Sequence, residues 1–121
     1  MPDSMTAVVR FRRVGFHRWP QATGRRAYLA SPHRHLFFVQ VAIAVTHDHR
    51  EIEFHDLLDQ CLALWPDNQD LKDLSCESMA RELVSSLVLV YGDRPMCVSV
   101  FEDDEVGAVI DHNPEGATAH V

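Results

Sequence analysis

The sequence predicts one α+β domain in which two strands, two helices and two further strands follow one another along the chain. Two long segments near the start alternate apolar and polar residues, as strands with one buried face do. Two segments in the middle repeat apolar residues at the helical period, and two short alternating segments follow them. We therefore expect the order ββααββ, with a four-stranded antiparallel sheet that carries both helices on one face.

The first predicted strand covers residues 7–19, in which valines and phenylalanines are interleaved with arginines. Gly15 interrupts this segment and indicates either a bulge or a close backbone approach. Residues 20–32 are long for a connection without structure of its own, so we expect them to be mobile or to fold over a site. The second strand, residues 34–46, lies in the most apolar segment of the sequence.

The two helices are predicted from apolar residues that recur every three or four positions. Trp65-Pro66 ends the first helix, because proline does not continue one. Ser75 is a suitable N-cap for the second helix, which ends at Gly92-Asp93-Arg94-Pro95. The positions expected to face the core are Phe54, Leu57, Leu58, Cys61 and Leu62 in the first helix and Met79, Ala80, Leu83, Val84, Leu87 and Val88 in the second.

The closing strands cover residues 96–102 and 106–110 and are joined by the turn Asp103-Asp104-Glu105. The domain is therefore expected to span residues 1–110. Residues 111–121 lack periodicity, and we expect them to form a disordered tail. A sheet of four strands leaves two open edges and one uncovered face, so we expect the protein to oligomerise through its sheet edges.

Charge and cysteine content argue against several classes of protein. A net charge of -7 argues against nucleic-acid binding as the main function, because contact with phosphates needs a basic surface. The three cysteines are widely separated and define no disulfide framework. No apolar run is long enough to cross a membrane, and no signal-peptide pattern follows the first methionine. The sequence therefore predicts a soluble, cytoplasmic protein.

Three histidines are placed where they can share a metal ion. His33 and His35 stand two residues apart at the start of the second strand, so their side chains leave the same face. His17 lies near the end of the first strand. Three neutral imidazoles with an open fourth position describe a catalytic zinc site. The alternative is that His33 and His35 are a chance pair at the mouth of a strand.

Five segments of the chain resemble, in the same order, motifs of the 6-pyruvoyltetrahydropterin synthase and 6-carboxytetrahydropterin synthase family. The resemblance covers residues 8–110. It implies a tunnelling fold (T-fold), in which ββααββ subunits assemble into rings whose strands form a β-barrel, as a trimer or hexamer. The five segments are Phe16-His17-Arg18-Trp19, His33-Arg34-His35-Leu36-Phe37, Ile52-Glu53-Phe54-His55-Asp56-Leu57, Ser75-Cys76-Glu77-Ser78-Met79-Ala80 and Val98-Ser99-Val100-Phe101-Glu102.

The resemblance also implies a site. Zinc (Zn2+) would be bound by His17, His33 and His35 and would act as a Lewis acid on the side chain of a pterin-like substrate. Glu102 would anchor the pterin ring through two charge-assisted hydrogen bonds, and Ser75 would add a contact to the same ring. The alternative for Glu102 is a solvated carboxylate at the start of the acidic turn.

A dihydroneopterin-triphosphate-like substrate also needs cationic partners for its phosphates. We expect Arg25, Arg26 or Arg34 to meet these phosphates.

Two groups that the family's synthases use for proton transfer are missing here. Leu29 occupies the position of the catalytic cysteine, and residues 65–73 lack the family's Asp-His motif. Cys76 is the candidate replacement, because a helix N-terminus lowers the pKa of a thiol; the alternative is a small core residue. Three further histidines are expected at the surface: His47, His49 and His55.

Three functions follow from these patterns. The first is a zinc-dependent carbon-oxygen lyase of this family type that has altered proton-transfer residues and acts on a pterin-like substrate. It would serve tetrahydrobiopterin, deazaguanine (queuosine) or folate biosynthesis. The second is a catalytically reduced protein that binds a pterin or a guanine-like ligand, or that acts only as a scaffold. The third, which applies in the absence of metal, is an unrelated α+β domain that binds a small molecule.

Overall fold

The computed structural model describes residues 3–114 and shows an α+β fold in which helices pack on one face of a five-stranded sheet. The long strands and both helices occur in the expected order. The elements are β1 (Met5–His17), a 3-10 helix (Gly24–Ala30), β2 (His33–Val45), α1 (Phe54–Leu64), β3 (Gln69–Asp70), α2 (Cys76–Tyr91), β4 (Met96–Glu102) and β5 (Val106–His112).

The sheet is mixed and open, with the strand order β3-β1-β2-β4-β5. The four long strands are antiparallel to their neighbours, as predicted, but β3 pairs in parallel with β1. The expectation of four strands was therefore wrong by this one short element. The segment between the helices runs beside β1, where Leu71 N donates to Phe16 O. A strand of two residues has no alternation that a sequence pattern can reveal.

The pairing of β1 with β2 is continuous from Met5 opposite Val45 to His17 opposite His33. No bulge occurs at Gly15, which pairs regularly with His35. The glycine is required instead by a close approach, because a Cβ atom at this position would lie 2.6 Å from Cδ1 of Leu71. The close neighbour is therefore a side chain and not the backbone that the sequence led us to expect.

The core lies between the sheet and the two helices. Alternate residues of β1, β2 and β4 are buried against the apolar faces of α1 and α2. Ser75 is the N-cap of α2, since its side chain accepts from Ser78 N, and Gly92 ends that helix at φ +88°. In α1, Leu57 and Cys61 are fully buried, whereas Phe54 is 58% exposed and does not belong to the core.

Further details differ from the sequence-based expectation: β1 covers Met5–His17 instead of residues 7–19, and β2 covers His33–Val45 instead of residues 34–46. The connection between β1 and β2 is not structureless but contains the 3-10 helix. Strand β5 continues to His112, two residues beyond the predicted end of the domain. The remainder of the predicted tail, residues 115–121, lies outside the described residues. Among residues 3–114, neither helix combines the length and hydropathy needed to span a bilayer.

Candidate metal centre

Three imidazoles meet at one end of the sheet, on the side that faces the helices. The register of the β1–β2 pair places His17, the last residue of β1, opposite His33, the first residue of β2. His35 follows two residues later and leaves the same face. The ring centroids of His17 and His33 are 4.6 Å apart, those of His17 and His35 5.2 Å, and those of His33 and His35 4.9 Å.

The spacing of these rings suits one bound ion. Each histidine offers one ring nitrogen, and the three nitrogens lie within 4.8 Å of one another. Nitrogens bound to a tetrahedral zinc ion at about 2.1 Å are separated by about 3.4 Å. The cluster therefore needs only side-chain adjustments of about 1 Å to bring the nitrogens onto a common ion.

The outer nitrogen of each imidazole is already engaged. In all three rings Nδ1 faces a carbonyl or carboxylate oxygen, which can only accept a hydrogen bond. Each contact is a hydrogen bond when Nδ1 carries the ring proton, and in that tautomer the lone pair of the neutral imidazole is on Nε2. Histidines that bind metals have this arrangement of outer contacts. The contacts are His17 Nδ1 to Leu74 O (2.8 Å), His33 Nδ1 to Ser31 O (2.9 Å) and His35 Nδ1 to Asp103 Oδ2 (2.7 Å).

The Glu102 carboxylate lies on the inner side of the cluster, where its negative charge faces ring nitrogens of two histidines. Its Oε2 lies 3.1 Å from Nε2 of His17, and its Oε1 lies 3.7 Å from Nε2 of His35. In the neutral rings these contacts bring lone pairs against an acceptor. A proton on His17 would relieve one of them, but burial lowers the pKa of this histidine. A divalent cation near Nε2 and the carboxylate would relieve both contacts at once, so the donor set fits a metal ion.

A cavity of about 450 Å³ opens beside the cluster. Glu102 and Ser75, the two residues expected to contact a substrate ring, border this cavity together with His17 and His33. The hydroxyl of Ser75 is committed to the N-terminus of α2, where it accepts from Ser78 N and donates to Ser78 Oγ. The other lining residues are Arg18, Trp19, Leu29, Asp73, Leu74, Cys76, Glu77, Val106 and Gly107.

The arginines expected to bind phosphates do not line this cavity. Arg25 and Arg26 are exposed on the 3-10 helix. Arg34 is exposed between His33 and His35, and the alternation of β2 places it on the opposite face of the sheet. The structure therefore does not bring Arg34 together with the three histidines and Glu102.

Cys76 lies at the cavity but does not have the low thiol pKa expected at a helix N-terminus. Burial raises the pKa of this thiol to about 12, and the negative charge of nearby Glu102 acts in the same direction. Desolvation of the thiolate therefore outweighs the helix dipole, and the thiol stays protonated at neutral pH. Leu29, at the position of the family's catalytic cysteine, also lines the cavity.

Two contributors to the site were not predicted from the sequence. Asp103, assigned to a turn, contacts His35, and Trp19 forms an apolar wall of the cavity. Trp19 stands two residues after His17 in the segment Phe16-His17-Arg18-Trp19, and this place beside a candidate ligand was its signal in the sequence. The side chains of His49 and His55 are 88% and 87% exposed and that of His47 is half-exposed, as expected.

The chain was also compared with known proteins. A scan against protein-family models finds no match, and a search of curated proteins finds no significant relative. The resemblance to the tetrahydropterin synthases therefore depends on the five motifs described above, and the candidate site depends on its own geometry.

Proposed function

We propose that this protein is a zinc-dependent carbon-oxygen lyase of the 6-pyruvoyltetrahydropterin or 6-carboxytetrahydropterin synthase type, with altered proton-transfer residues and a pterin-like substrate. The observation that carries the proposal is the convergence of His17, His33 and His35, with each Nδ1 engaged from outside and Glu102 facing Nε2 of two rings. The resemblance supplies the substrate class.

Zinc is the metal we propose, because three imidazoles with room for a further ligand are a usual catalytic donor set for this ion. Bound there, it would supply Lewis-acid polarisation of an oxygen on the substrate side chain. The contribution of the protein is to hold the three rings in one tautomer through the carbonyl oxygens of Leu74 and Ser31 and the carboxylate of Asp103.

The cavity supports recognition of a flat, donor-rich ring. Its volume of about 450 Å³ lies within the usual range for small-molecule sites. Trp19, Leu29 and Val106 provide apolar walls, and Glu102 provides an acceptor that can receive two N–H groups from a 2-amino-4-oxo ring. In this proposal Glu102 orients the ring while the histidines hold the ion that meets the side chain.

We also propose that the chain adopts the tunnelling fold and assembles into rings whose strands form a β-barrel, as a trimer or hexamer. The four long antiparallel strands and the two helices on one face support this assembly. Strand β5 ends the sheet, and Val109 on this strand is 55% exposed. An open edge with exposed apolar residues is a surface on which a second strand can pair.

The second candidate function is binding of a pterin or a guanine-like compound without turnover. Leu29 at the cavity and the protonated thiol of Cys76 favour this alternative, because neither side chain can accept a proton at neutral pH.

Metal analysis of protein purified without chelators tests the proposal. We expect about one zinc ion per chain, lost in His33→Ala and kept in His55→Ala, since His55 is an exposed histidine that is not part of the cluster. Absence of zinc from the wild-type protein would contradict the metal centre. Zinc-loaded protein that binds neopterin but turns over no pterin triphosphate would support the binding function instead of the lyase.

A further inference from the structure

We propose that Asp103 is a positioning residue of the metal centre, whose carboxylate fixes His35 in the tautomer that presents its Nε2 lone pair to the ion. This inference rests on the proposed metal centre, and it assigns a function to the acidic turn between β4 and β5. The carboxylate acts through the histidine and does not itself contact the ion.

Asp103 is held in place by three contacts with β2. Its Oδ2 lies 2.7 Å from Nδ1 of His35, and its Oδ1 accepts from Leu36 N at 3.0 Å. Its own backbone N–H donates to Leu36 O at 2.7 Å. Both carboxylate oxygens are therefore engaged, and rotation of the side chain away from His35 would break two hydrogen bonds.

The backbone of the turn aims this side chain at β2. Asp103 adopts φ +54° and Asp104 φ +58°, a left-handed conformation that aspartate tolerates better than most residues with a side chain. The turn reverses the chain directly after Glu102, which itself faces His17 and His35. One short segment therefore contributes two carboxylates to the cluster, one on its inner side and one on its outer side.

Of the three groups that face an Nδ1 atom of the cluster, only Asp103 uses a side chain, so mutation can remove its contact. The Nδ1 atoms of His17 and His33 face the backbone oxygens of Leu74 and Ser31, which every substitution retains. His35 depends on a side chain instead. The two contacts of the Asp103 side chain, to Leu36 N and to Nδ1 of His35, each use one of its carboxylate oxygens as the acceptor.

The test compares Asp103→Asn with Asp104→Asn. Asparagine keeps the shape and an acceptor for Leu36 N, but it presents an amide N–H2 to Nδ1 of His35 and so favours the Nε2–H tautomer. Asp104→Asn removes the same charge from the same turn at a residue with nearly the same φ, away from His35. It therefore controls for charge and turn conformation.

Two measurements are needed. Proton–nitrogen NMR spectra of the histidine rings in metal-free protein report which nitrogen carries the proton. We expect Nδ1–H at His35 in the wild type and in Asp104→Asn, and Nε2–H in Asp103→Asn. Competition with a chelator gives the zinc dissociation constant, which we expect to rise about 10- to 100-fold in Asp103→Asn alone.

The results separate this inference from the proposed function. Nε2–H at His35 of the wild-type protein would overturn the inference even if Asp103→Asn failed to fold. Equal tautomers and equal zinc affinity in the two variants would also overturn it. A tautomer change without zinc binding by any form would support the positioning of His35 and contradict the metal centre.

Discussion

At the scale of single residues, the candidate site is distinguished by the partners of its histidines. The chain has eight histidines, and the sequence selected His17, His33 and His35 through their places at strand ends together with the family resemblance. The partners that set their tautomers were not readable in the same way. Two are backbone oxygens, and the third, Asp103, lies 68 residues from His35. Local sequence patterns contain no signal for a contact of that separation.

Glu102→Gln tests whether this carboxylate anchors the ring of the ligand. Glutamine keeps the shape but loses the charge and one of the two acceptors, so we expect affinity for neopterin to fall at least about tenfold. Zinc content should stay at the wild-type level, because the three histidines remain. Fluorescence titration of zinc-loaded protein with neopterin measures the first quantity, and metal analysis measures the second.

The matched control is Glu105→Gln, which removes a carboxylate from the neighbouring turn without touching the cavity lining. It should bind neopterin like the wild type. Loss of zinc from Glu102→Gln would contradict the role of ring anchor and would identify Glu102 as a group that holds the ion.

At the scale of elements, the sequence was most informative where a pattern extends over several turns or pairs. Helix α2 begins after Ser75 and ends at Gly92 as predicted, because the cap, the apolar stripe and the break are all local. Strand β4 has its predicted limits, since its alternation is uninterrupted. Phe54 followed the helical period but is exposed, because it occupies the first position of α1, beyond the part of that helix buried against the sheet.

The elements that were missed depend on tertiary contacts. Strand β3 exists because the inter-helix segment lies along β1. The 3-10 helix at Gly24–Ala30 has no apolar period and no buried residue, so hydrophobic patterning does not reveal it. The meeting of His17 with His33 was expected from their places at strand ends, but their pairing depends on a register that the sequence does not specify.

The pH dependence of unfolding tests the contacts of Glu51, which join Thr46 at the end of β2 to Arg94 after α2. Glu51 accepts from the backbone and hydroxyl of Thr46 and pairs with Arg94, and these contacts lower its pKa from 4.5 to about 2. A carboxyl whose folded pKa is lowered stabilises the fold above its unfolded pKa and loses this contribution as the pH falls through the folded value. We expect Glu51→Gln to be less stable than the wild type above pH 4.5, with the difference shrinking toward pH 2.

Chemical unfolding at a series of pH values measures this difference. Glu82→Gln, an exposed change on α2, is the control and should follow the wild-type curve throughout. A Glu51→Gln curve parallel to the wild-type curve from pH 7 to pH 2 would show that the contacts of Glu51 do not distinguish the folded from the unfolded state.

At the scale of the whole molecule, the open sheet poses the question of assembly. One face carries the core and the helices, whereas β5 leaves an edge with Val106 and Val109 exposed. If subunits join through these edges, light scattering should give a mass about three or six times that of the 13.8 kDa chain. Val109→Lys should then shift the mass toward that of the single chain.

The control for assembly is Leu89→Lys. Leu89 is 88% exposed on α2, so this variant adds the same charge to an apolar surface away from the sheet edge. Its mass should equal that of the wild type. A wild-type mass of a single chain would contradict the proposed barrel and leave the metal centre to be judged on its own.

The position of the histidines at the very end of the β1–β2 ladder has a consequence for the wall of the cavity. Ladder ends open and close more readily than their middles. The connection to the 3-10 helix begins at this same end of the ladder. A hydrogen bond from Trp19 N to Leu29 O joins the start of the connection to that helix. An ion bound by both His17 and His33 would cross-link the last residue pair of the β1–β2 ladder. Release of the ion would then be coupled to opening of the ladder end, and so to exposure of the cavity that Trp19 and Leu29 line.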